Sequence, residues 1–466
     1  MDFSWHIVAH VSQRWRSVAL EAATLWTKPP TTNHAYTLLM LERSRMSLLD
    51  VVLNGLTSIA TVTAVLDHIT RIESLSILQD ALGCHHCQSH LLKLGQNVPH
   101  LRILRIRCIL RPMSGVPSPV FRLSVNTFQR PVSLQQIHFG TLDYDWNIFP
   151  IPSLTVLSLK GCRLSDPPSW MHLQDALRGM PLLEAIAGFN FKDLGLSSPG
   201  PSSPQPLNMA RLRMLDIIGG SPPAIEYFIS NTKFPRLRNS SIILSSNNTE
   251  NSYPDDYMAT VQVVLSLLAH GDFGHLGCLE VKRTGFALSQ VVPPLNLSVD
   301  RRQFKYRHRY STTPVAEVQL RVVRDMMKGL ATLPSDPLAY ISRLKLVEST
   351  LIPDDLVELF GGLPQLQSID AYCSPHTMIQ CLRVSSLHAP NTPVPFANLR
   401  EVNMWKSDDD GDYIPSFMGD LYHCLKLRRE FGSMVRKLSL NCKLTPEQVE
   451  SIREVVGDVI YTRDDD

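Results

Sequence analysis

The residue types best suited to chemistry lie in the stretch GCHHCQSH, which holds two cysteines and three histidines. Cys84 and Cys87 have the C-x-x-C spacing of a zinc knuckle, with His85, His86 and His90 beside them. A structural zinc site takes four ligands, usually from two such pairs, and no second C-x-x-C occurs in the sequence. The ordinary interpretation is a loop between a strand and the next helix, so we expect no metal and no cofactor.

The acidic stretch SDDDGD, which begins at Ser407, is similar to part of a calcium-binding loop. If Gly411 is the invariant glycine, such a loop needs an acid at position 406 and a glutamate at position 417, but the chain has Lys406 and Phe417. The sequence also has no phosphate-binding glycine loop, no G-x-S-x-G and no H-E-x-x-H. We therefore expect no catalytic residues and no enzyme activity. A metal-dependent or hydrolytic site within inserted segments is the competing hypothesis.

The stretch DRRQFKYRHRYS, which begins at Asp300, alternates basic and aromatic residues. Such a pattern can bind a nucleic-acid backbone and stack on its bases. A single short patch in a nearly neutral protein favours the other interpretation, which is an exposed basic hairpin on an insertion. The 45 basic and 43 acidic residues give a net charge of +2, so charge predicts no nucleic-acid partner and no membrane partner.

The composition indicates a globular protein of the cytoplasm or nucleus. Hydrophobic residues make up 44% of the chain and charged residues 19%, which excludes a disordered protein. The nine cysteines are odd in number and thinly spread, which is typical of reduced thiols rather than a disulfide framework. The N-terminus lacks the apolar segment of a signal peptide, and the apolar stretch from Met258 is too short to cross a bilayer.

One pattern recurs along the chain: an apolar residue, two spacers, a second apolar residue, one spacer and a third. It occurs at Leu101/Leu104/Ile106, Leu154/Leu157/Leu159, Leu212/Leu215/Ile217, Leu276/Leu279/Val281, Ile341/Leu344/Leu346, Leu399/Val402/Met404 and Val435/Leu438/Leu440. Weaker copies occur at Ile72/Leu75/Ile77, Leu134/Ile137/Phe139, Leu183/Ile186 and Leu366/Ile369. The last two apolar positions are two residues apart, as one face of a strand requires.

Several copies follow a short helical pattern that ends in glycine or proline. In PDDLVELFGGLPQLQSID, Asp354 or Asp355 can cap a helix, Gly361 ends it, and Pro364 precedes the strand. The unit is similar to a leucine-rich repeat of irregular period. Cys162, and Asn441 with Cys442, come close to the residue that closes the family's motif, which most units lack. Stacked units of this kind bury a continuous core. We predict an α/β fold, a solenoid of parallel strands with helices; a non-repetitive α/β domain is the alternative.

The N-terminus is rich in tryptophan, with Trp5, Trp15 and Trp26 among the six of the whole chain. On helical spacing, Trp5, Val8, Ser12, Trp15 and Ala19 form one stripe. The run IVAHVSQRWRSVALEAATLW resembles the C-terminal two-thirds of a fungal F-box or F-box-like domain. The residues that carry the resemblance are Val8, Val11, Trp15, Arg16, Ala19, Leu25 and Trp26.

The resemblance implies a protein that holds a Skp-type adaptor through its N-terminus and a protein substrate on its repeats. Such a protein is a non-catalytic substrate receptor of a cullin–RING ubiquitin ligase. The family's opening L-P-x-E segment is missing here. Either the gene model is truncated or the adaptor contact is lost, and a plain interaction scaffold is the alternative function. Equally, Val8, Val11, Trp15, Arg16, Leu25 and Trp26 can seal the first repeat rather than bind the adaptor.

The sequence predicts three regions. A partial F-box-like helical segment covers residues 1–30, and connecting helices with a first strand cover residues 31–70. The irregular repeats cover residues 71–460, with loops at 191–206 and 245–256 and an insertion at 282–335. The loops are predicted from their serine, proline and asparagine content.

Overall fold

The structure is a computed structural model of the 466-residue chain. It describes residues 12–80, 98–109, 122–123, 133–164, 167–196, 205–219, 221–245, 261, 264–269, 273, 278–282, 285–289, 303–309, 316–333, 336–347, 349, 351–372, 374–383, 394–405, 415–442 and 444–461. The chain divides into two units. The first comprises Met1–Gly220 with Asn231–Pro235, and the second comprises Ser221–Ser230 with Arg236–Asp466.

The first unit is built on parallel strands. Its strands are β1 (Leu49–Asn54), β2 (Ile72–Asp80), β3 (Ile103–Ile109), β4 (Arg122–Leu123), β5 (Gln136–Gly140), β6 (Asp143–Tyr144), β7 (Val156–Lys160), β8 (Arg163–Leu164), β9 (Ala185–Phe189), β10 (Leu207–Asn208), β11 (Met214–Ile218) and β12 (Thr232–Lys233). The main sheet has the order β1-β2-β3-β5-β7-β9-β11, and every pair in it is parallel. The short strands form two smaller groups, β4-β6-β8 and β10-β12.

The recurring apolar positions explain this sheet. Their second members lie in register on neighbouring strands and are fully buried: Leu75, Leu104, Ile137, Leu157, Ile186 and Leu215. Burial of one leucine or isoleucine side chain stabilises the fold by about 1.5–3 kcal/mol. One strand cannot bury its apolar face alone, so the ladder of side chains across strands is what holds the sheet together. The prediction of an α/β fold with parallel strands is confirmed.

The second unit repeats the arrangement with one exception. Its strands are β13 (Asn239–Ser245), β14 (Cys278–Lys282), β15 (Gly285–Ser289), β16 (Gln303–Arg309), β17 (Arg343–Val347), β18 (Ser368–Tyr372), β19 (Glu401–Met404), β20 (Lys437–Leu440) and β21 (Asp458–Tyr461). Their order is β13-β16-β15-β14-β17-β18-β19-β20-β21. The buried ladder here consists of Leu279, Leu344, Ile369, Val402, Leu438 and Val459.

Strand β15 is the exception to the predicted parallel arrangement, since it is antiparallel to both β14 and β16. Only two residues separate Lys282 from Gly285. A parallel crossover needs about a dozen residues, so the chain has to turn back directly. The basic and aromatic segment expected as an exposed hairpin is strand β16. It pairs with β15 on one edge and with β13 on the other, so it lies within the sheet.

Helices connect the strands. They are α1 (Gln13–Glu21), α2 (His34–Arg43), α3 (Ile59–Leu66), α4 (Trp170–Arg178), α5 (Pro222–Ser230), α6 (Ala316–Thr332), α7 (Pro353–Phe360), α8 (Pro375–Leu382), α9 (Pro415–Glu430) and α10 (Pro446–Arg453). Turns of 3₁₀ helix occupy Ala23–Trp26, Ile69–Arg71, Trp146–Ile148 and Pro337–Tyr340. Helix α7 lies where the sequence predicts it, but its capping is different. Ile352 is the N-cap residue, and Asp354 and Asp355 lie in the first turn, because Pro353 takes the first helical position.

Helix α10 begins with a reciprocal pair of hydrogen bonds. Thr445 Oγ1 accepts from Gln448 N at 3.3 Å, and Gln448 Oε1 accepts from Thr445 N at 2.9 Å. Replacing Thr445 with alanine is expected to destabilise α10 by about 1 kcal/mol, because it leaves a backbone donor unsatisfied. Hydrogen exchange of the α10 amides measures this. The control Ser451→Ala, in the same helix, should change exchange little, and equal effects of the two substitutions would contradict the capping role.

Candidate protein-interaction sites

Helix α1 exposes apolar side chains. Ser12 Oγ accepts from Trp15 N at 3.2 Å and starts the helix. Within Gln13–Glu21 the buried residue is Ala19, whereas Trp15 is 54% exposed and Val18 is 52% exposed. Residues three apart on a helix are neighbours, so Trp15 and Val18 form one apolar pair on its surface. Arg16 is also exposed on this helix.

Trp26 has the opposite environment. It is 4% exposed, and its indole Nε1 donates to Ala19 O at 2.9 Å. The guanidinium carbon of Arg43 lies 4.5 Å from the centre of the ring, within the range of a cation–π contact. Trp26 therefore connects α1 with α2. Leu25, its neighbour in the 3₁₀ turn, is exposed.

The structure thus separates the candidate residues into an inner tryptophan, Trp26, and an outer one, Trp15. Val8 and Val11 lie outside the described residues. The segment is also joined to the first strand, since Asp50 N donates to Thr27 O at 2.9 Å. Which of these residues seal the first repeat and which bind a partner stays a prediction. The arrangement favours a sealing role for Trp26 and a surface role for Trp15.

The structure also shows a second candidate site, which sequence reasoning missed. On the sheet of the second unit, the positions between the buried ladder residues carry polar side chains that lie in register: Glu280, Lys345, Asp370, Asn403 and Ser439. Lys345 Nζ lies 3.2 Å from Glu280 Oε1. Asn403 Nδ2 donates to Asp370 Oδ1 at 2.6 Å. Glu280, Lys345, Asp370 and Asn403 are therefore each held by a side chain of the next strand.

Two aromatic rings lie beside this row. Tyr372 and Trp405 are stacked, with ring centres 5.7 Å apart and planes 8° apart. Lys345 Nζ lies 5.1 Å from the centre of the Tyr372 ring. Burial lowers the pKa of Lys345, but Glu280, Tyr372 and Asp370 together outweigh burial, and the pKa lies above its ordinary value. The ammonium is therefore charged at neutral pH. Trp405 is 39% exposed, so the stack is open to a partner.

This aromatic cluster of Lys345, Tyr372 and Trp405 has the residue types that dominate protein–protein binding energy. The sequence signal would have been aromatic residues just after the third apolar position in two consecutive repeats. That signal is readable only once the register of the strands is known. Rings held by stacking lose little rotational freedom when a partner arrives, which favours binding.

Two buried cysteines among the described residues are poor nucleophiles. Burial raises the pKa of the Cys162 thiol to about 12 and that of Cys424 to about 11, so neither thiol forms a reactive thiolate at neutral pH. No group of three or more His, Cys, Asp or Glu side chains is placed to hold a metal ion within the part of the chain that the structure describes. Cys84, Cys87 and the acidic stretch at 407–412 lie outside it. Its helices also lack the length and apolar character needed to cross a membrane.

No family model matches the chain, and no curated protein is significantly similar to it. Among solved structures, it is similar to a chain of the crystal structure of the Rad7 and Elc1 complex in yeast. The identity is 12%, and the match covers 79% of this chain and 88% of that chain, with a TM-score of 0.30.

Proposed function

We propose that this chain is a non-catalytic substrate-recognition subunit of an SCF-type cullin–RING ubiquitin ligase. In this proposal α1 docks a Skp-type adaptor, and a leucine-rich-repeat solenoid binds a protein substrate. The observation that supports adaptor docking is the exposed pair Trp15 and Val18 on a helix that Trp26 anchors from inside. Exposing a tryptophan to water gives up about 150–250 Å² of potential burial, which a docked partner recovers.

The solenoid assignment is supported by the repeated element order and by the buried ladders. In each unit most strands of the main sheet place one apolar side chain at the same register position, and most neighbouring strands follow one another in sequence. Stability then comes from contacts between neighbours, as in repeat proteins. Such a sheet leaves its other face free to vary, which suits recognition of a protein.

Substrate binding is supported by the aromatic cluster on the second unit. Lys345, Tyr372 and Trp405 present a flat apolar surface with a charged group beside it. The ion pairs around it fix the positions of the polar groups before a partner binds. A preformed polar and aromatic surface is typical of interfaces that bind another protein.

The adaptor contact can be tested by co-expression of the chain with a Skp-type adaptor and capture through the adaptor. The chain should be captured, and Trp15→Asp should weaken capture by at least about 30-fold, the effect of losing one central interface residue. Met171→Asp is the matched control, because Met171 is an equally exposed apolar residue on helix α4. That variant should be captured normally.

Failure of capture, or equal loss with both variants, would refute the adaptor contact. The chain would then be a leucine-rich-repeat interaction scaffold without a ligase link. One observation favours that second function: Trp26 is buried between α1 and α2, as expected of a residue that seals the first repeat.

A further inference from the structure

The sheet of the first unit carries a row of basic side chains on the face opposite its buried ladder. We name Arg105, Arg107, His138 and Lys160 the basic strip. Arg105 is in register with His138, and Arg107 is in register with Gly140, which is in register with Lys160. Their neighbours along each strand, such as Ile137 and Phe139, are buried, so the strip lies on the other face.

Two glycines let the strip lie flat. A Cβ atom at Gly140 would approach Arg107 Cγ to 3.2 Å, and one at Gly188 would approach Lys160 Cγ to 2.3 Å. The aliphatic stems of Arg107 and Lys160 therefore cross the glycine of the next strand. Gly188 also has a φ of +67°, which side chains rarely adopt. The charged ends stay at the surface while the stems cover the sheet.

The strip forms no ion pair within the described part of the chain, although Asp216 lies on the same face, where its Oδ2 accepts from Gly188 N at 3.2 Å. Among the described residues, none of the ion pairs includes Arg105, Arg107 or Lys160. The second unit differs, since Arg343 lies 2.9 Å from Asp370 and Lys345 lies 3.2 Å from Glu280. The cations of the basic strip repel one another, and a bound anion lowers the free energy of the first unit by offsetting this repulsion.

His138 lies within the basic strip and is affected by the positive charges beside it. Its Nε2 is buried and has no hydrogen-bond partner. Burial lowers the pKa of His138 most, and the charges of Arg105 from β3 and Lys160 from β7 lower it further. The imidazole is therefore neutral at pH 7. Carboxylates close to the imidazole would raise the pKa of His138, and none is among the groups that shift it.

The surface beside the strip is made of small residues. Ser158 is in register with Ala187, and Val156 is in register with Ala185. No Phe, Tyr or Trp occupies the described positions of this face on β3, β5, β7 and β9. Bases of a single-stranded nucleic acid need such rings to stack on. An extended peptide needs only a flat surface with room for its backbone.

We propose that the basic strip binds an acidic segment of a partner protein, in an extended conformation that crosses the strands of the first unit. Arg107 and Lys160 stand two strands apart, which is about 9.5 Å. In an extended peptide of polyproline II conformation, acidic residues three positions apart point to the same side and are separated by about 9.3 Å. The segment therefore carries Asp or Glu at every third position. This inference rests on the proposed substrate-binding role of the sheet, and it names the chemistry of the substrate.

The test measures fluorescence anisotropy of the full chain with a labelled peptide that has Glu at every third position. The peptide should bind, and the same peptide with Gln should not. The double variant Arg107→Ala/Lys160→Ala should bind at least about tenfold more weakly, as expected for two lost ionic contacts. The control Arg211→Ala/Lys233→Ala removes two exposed basic residues elsewhere in the unit and should bind normally. Binding should also weaken with added salt.

Lowering the pH from 7.5 to 6 should tighten binding, because bound glutamates raise the pKa of His138 above its low value in the free chain and favour its protonated form. The glutamates themselves, with a pKa near about 4.3, stay ionised. His138→Gln should remove this pH dependence. Equal binding of the Gln peptide, or undiminished binding by the double variant, would overturn the inference. Tighter binding of an oligonucleotide of equal charge would assign the strip to nucleic acid instead.

The adaptor experiment separates this inference from the proposed function. The double variant should still be captured through the adaptor, because its substitutions lie on the sheet and not on α1. Lost peptide binding with normal capture is the predicted outcome for the variant. A wild-type chain that binds the adaptor but no acidic peptide loses only this inference, whereas one that binds the peptide but no adaptor loses only the ligase assignment.

Discussion

Replacing Arg428 with methionine is expected to lower the free energy of unfolding of the second unit by about 3–5 kcal/mol. Arg428 lies on α9 and is 0% exposed. Its guanidinium donates to Pro395 O at 2.9 Å, to Phe396 O at 2.8 Å and to Leu382 O at 3.3 Å. Methionine keeps an unbranched stem but leaves Leu382 O and Pro395 O without the guanidinium donor, and each lost partner costs about 1–3 kcal/mol. Phe396 O still accepts from Leu399 N at 3.1 Å.

Charge strengthens these hydrogen bonds. Burial lowers the pKa of Arg428 to about 10, so the guanidinium remains protonated at neutral pH. Leu382 is the last residue of α8, where helix carbonyls have no partner within the helix and carry partial negative charge. The cation therefore satisfies a helix end and the chain that follows it. Lysine cannot replace it, because an ammonium lacks the planar fork that reaches three carbonyls.

Urea denaturation combined with hydrogen exchange of peptides from α8 and α9 measures this loss. Lys426→Met is the matched control, since Lys426 is exposed on the same helix and should change stability by less than about 0.5 kcal/mol. A loss below about 1 kcal/mol for Arg428→Met would show that water satisfies these carbonyls in the variant, contrary to this account.

Replacing Trp26 with alanine is expected to cause the second large loss of stability. A buried tryptophan lost to alanine costs about 3–5 kcal/mol. This cost should fall on α1, because Ala19 is the buried residue of that helix and its carbonyl accepts the Trp26 indole. We expect α1 to detach while the sheet of the first unit stays folded. Limited proteolysis should then cleave within residues 13–26 before any other described segment.

Trp15→Ala is the matched control for Trp26→Ala. Trp15 is 54% exposed, so its loss should leave the proteolysis pattern unchanged and shift stability by no more than about 0.5 kcal/mol. Equal sensitivity of the two variants to protease would contradict the distinction between an inner and an outer tryptophan.

The sheet ladders were predictable because the apolar spacing encodes them directly. Leu104, Leu157 and Leu215 each follow the three-position pattern, and each occupies the buried face of a strand. Strand β15 was missed because it has no copy of that pattern. Its direction follows from a two-residue connection, which becomes visible only when both strand ends are known.

Side-chain roles were harder to predict from residue type. Trp15 and Trp26 both belong to the N-terminal segment, yet one is exposed and the other is buried. A single helical period cannot separate them, because Trp26 lies in a 3₁₀ turn after α1. In the sequence, Arg428 looks like any other charged residue near the end of a helix. Its burial depends on where two distant carbonyls lie, which no local pattern records.

The same limit applies to the candidate interaction surfaces. Tyr372 and Trp405 are far apart in sequence but stack because β18 and β19 are neighbours. Arg107 and Lys160 lie on one face because β5 lies between their strands. Each surface requires the register of several strands, and the sequence determines register only through the sum of many buried contacts.

We propose that α1 holds the adaptor and leaves the face opposite the buried ladder free for a substrate in each unit. Hydrogen exchange of the chain, with and without a Skp-type adaptor, tests it most directly. With the adaptor bound, we expect slower exchange in peptides covering residues 13–26 and unchanged exchange in those covering 343–404. Protection of the sheet peptides with none at 13–26, or no protection anywhere, would contradict it.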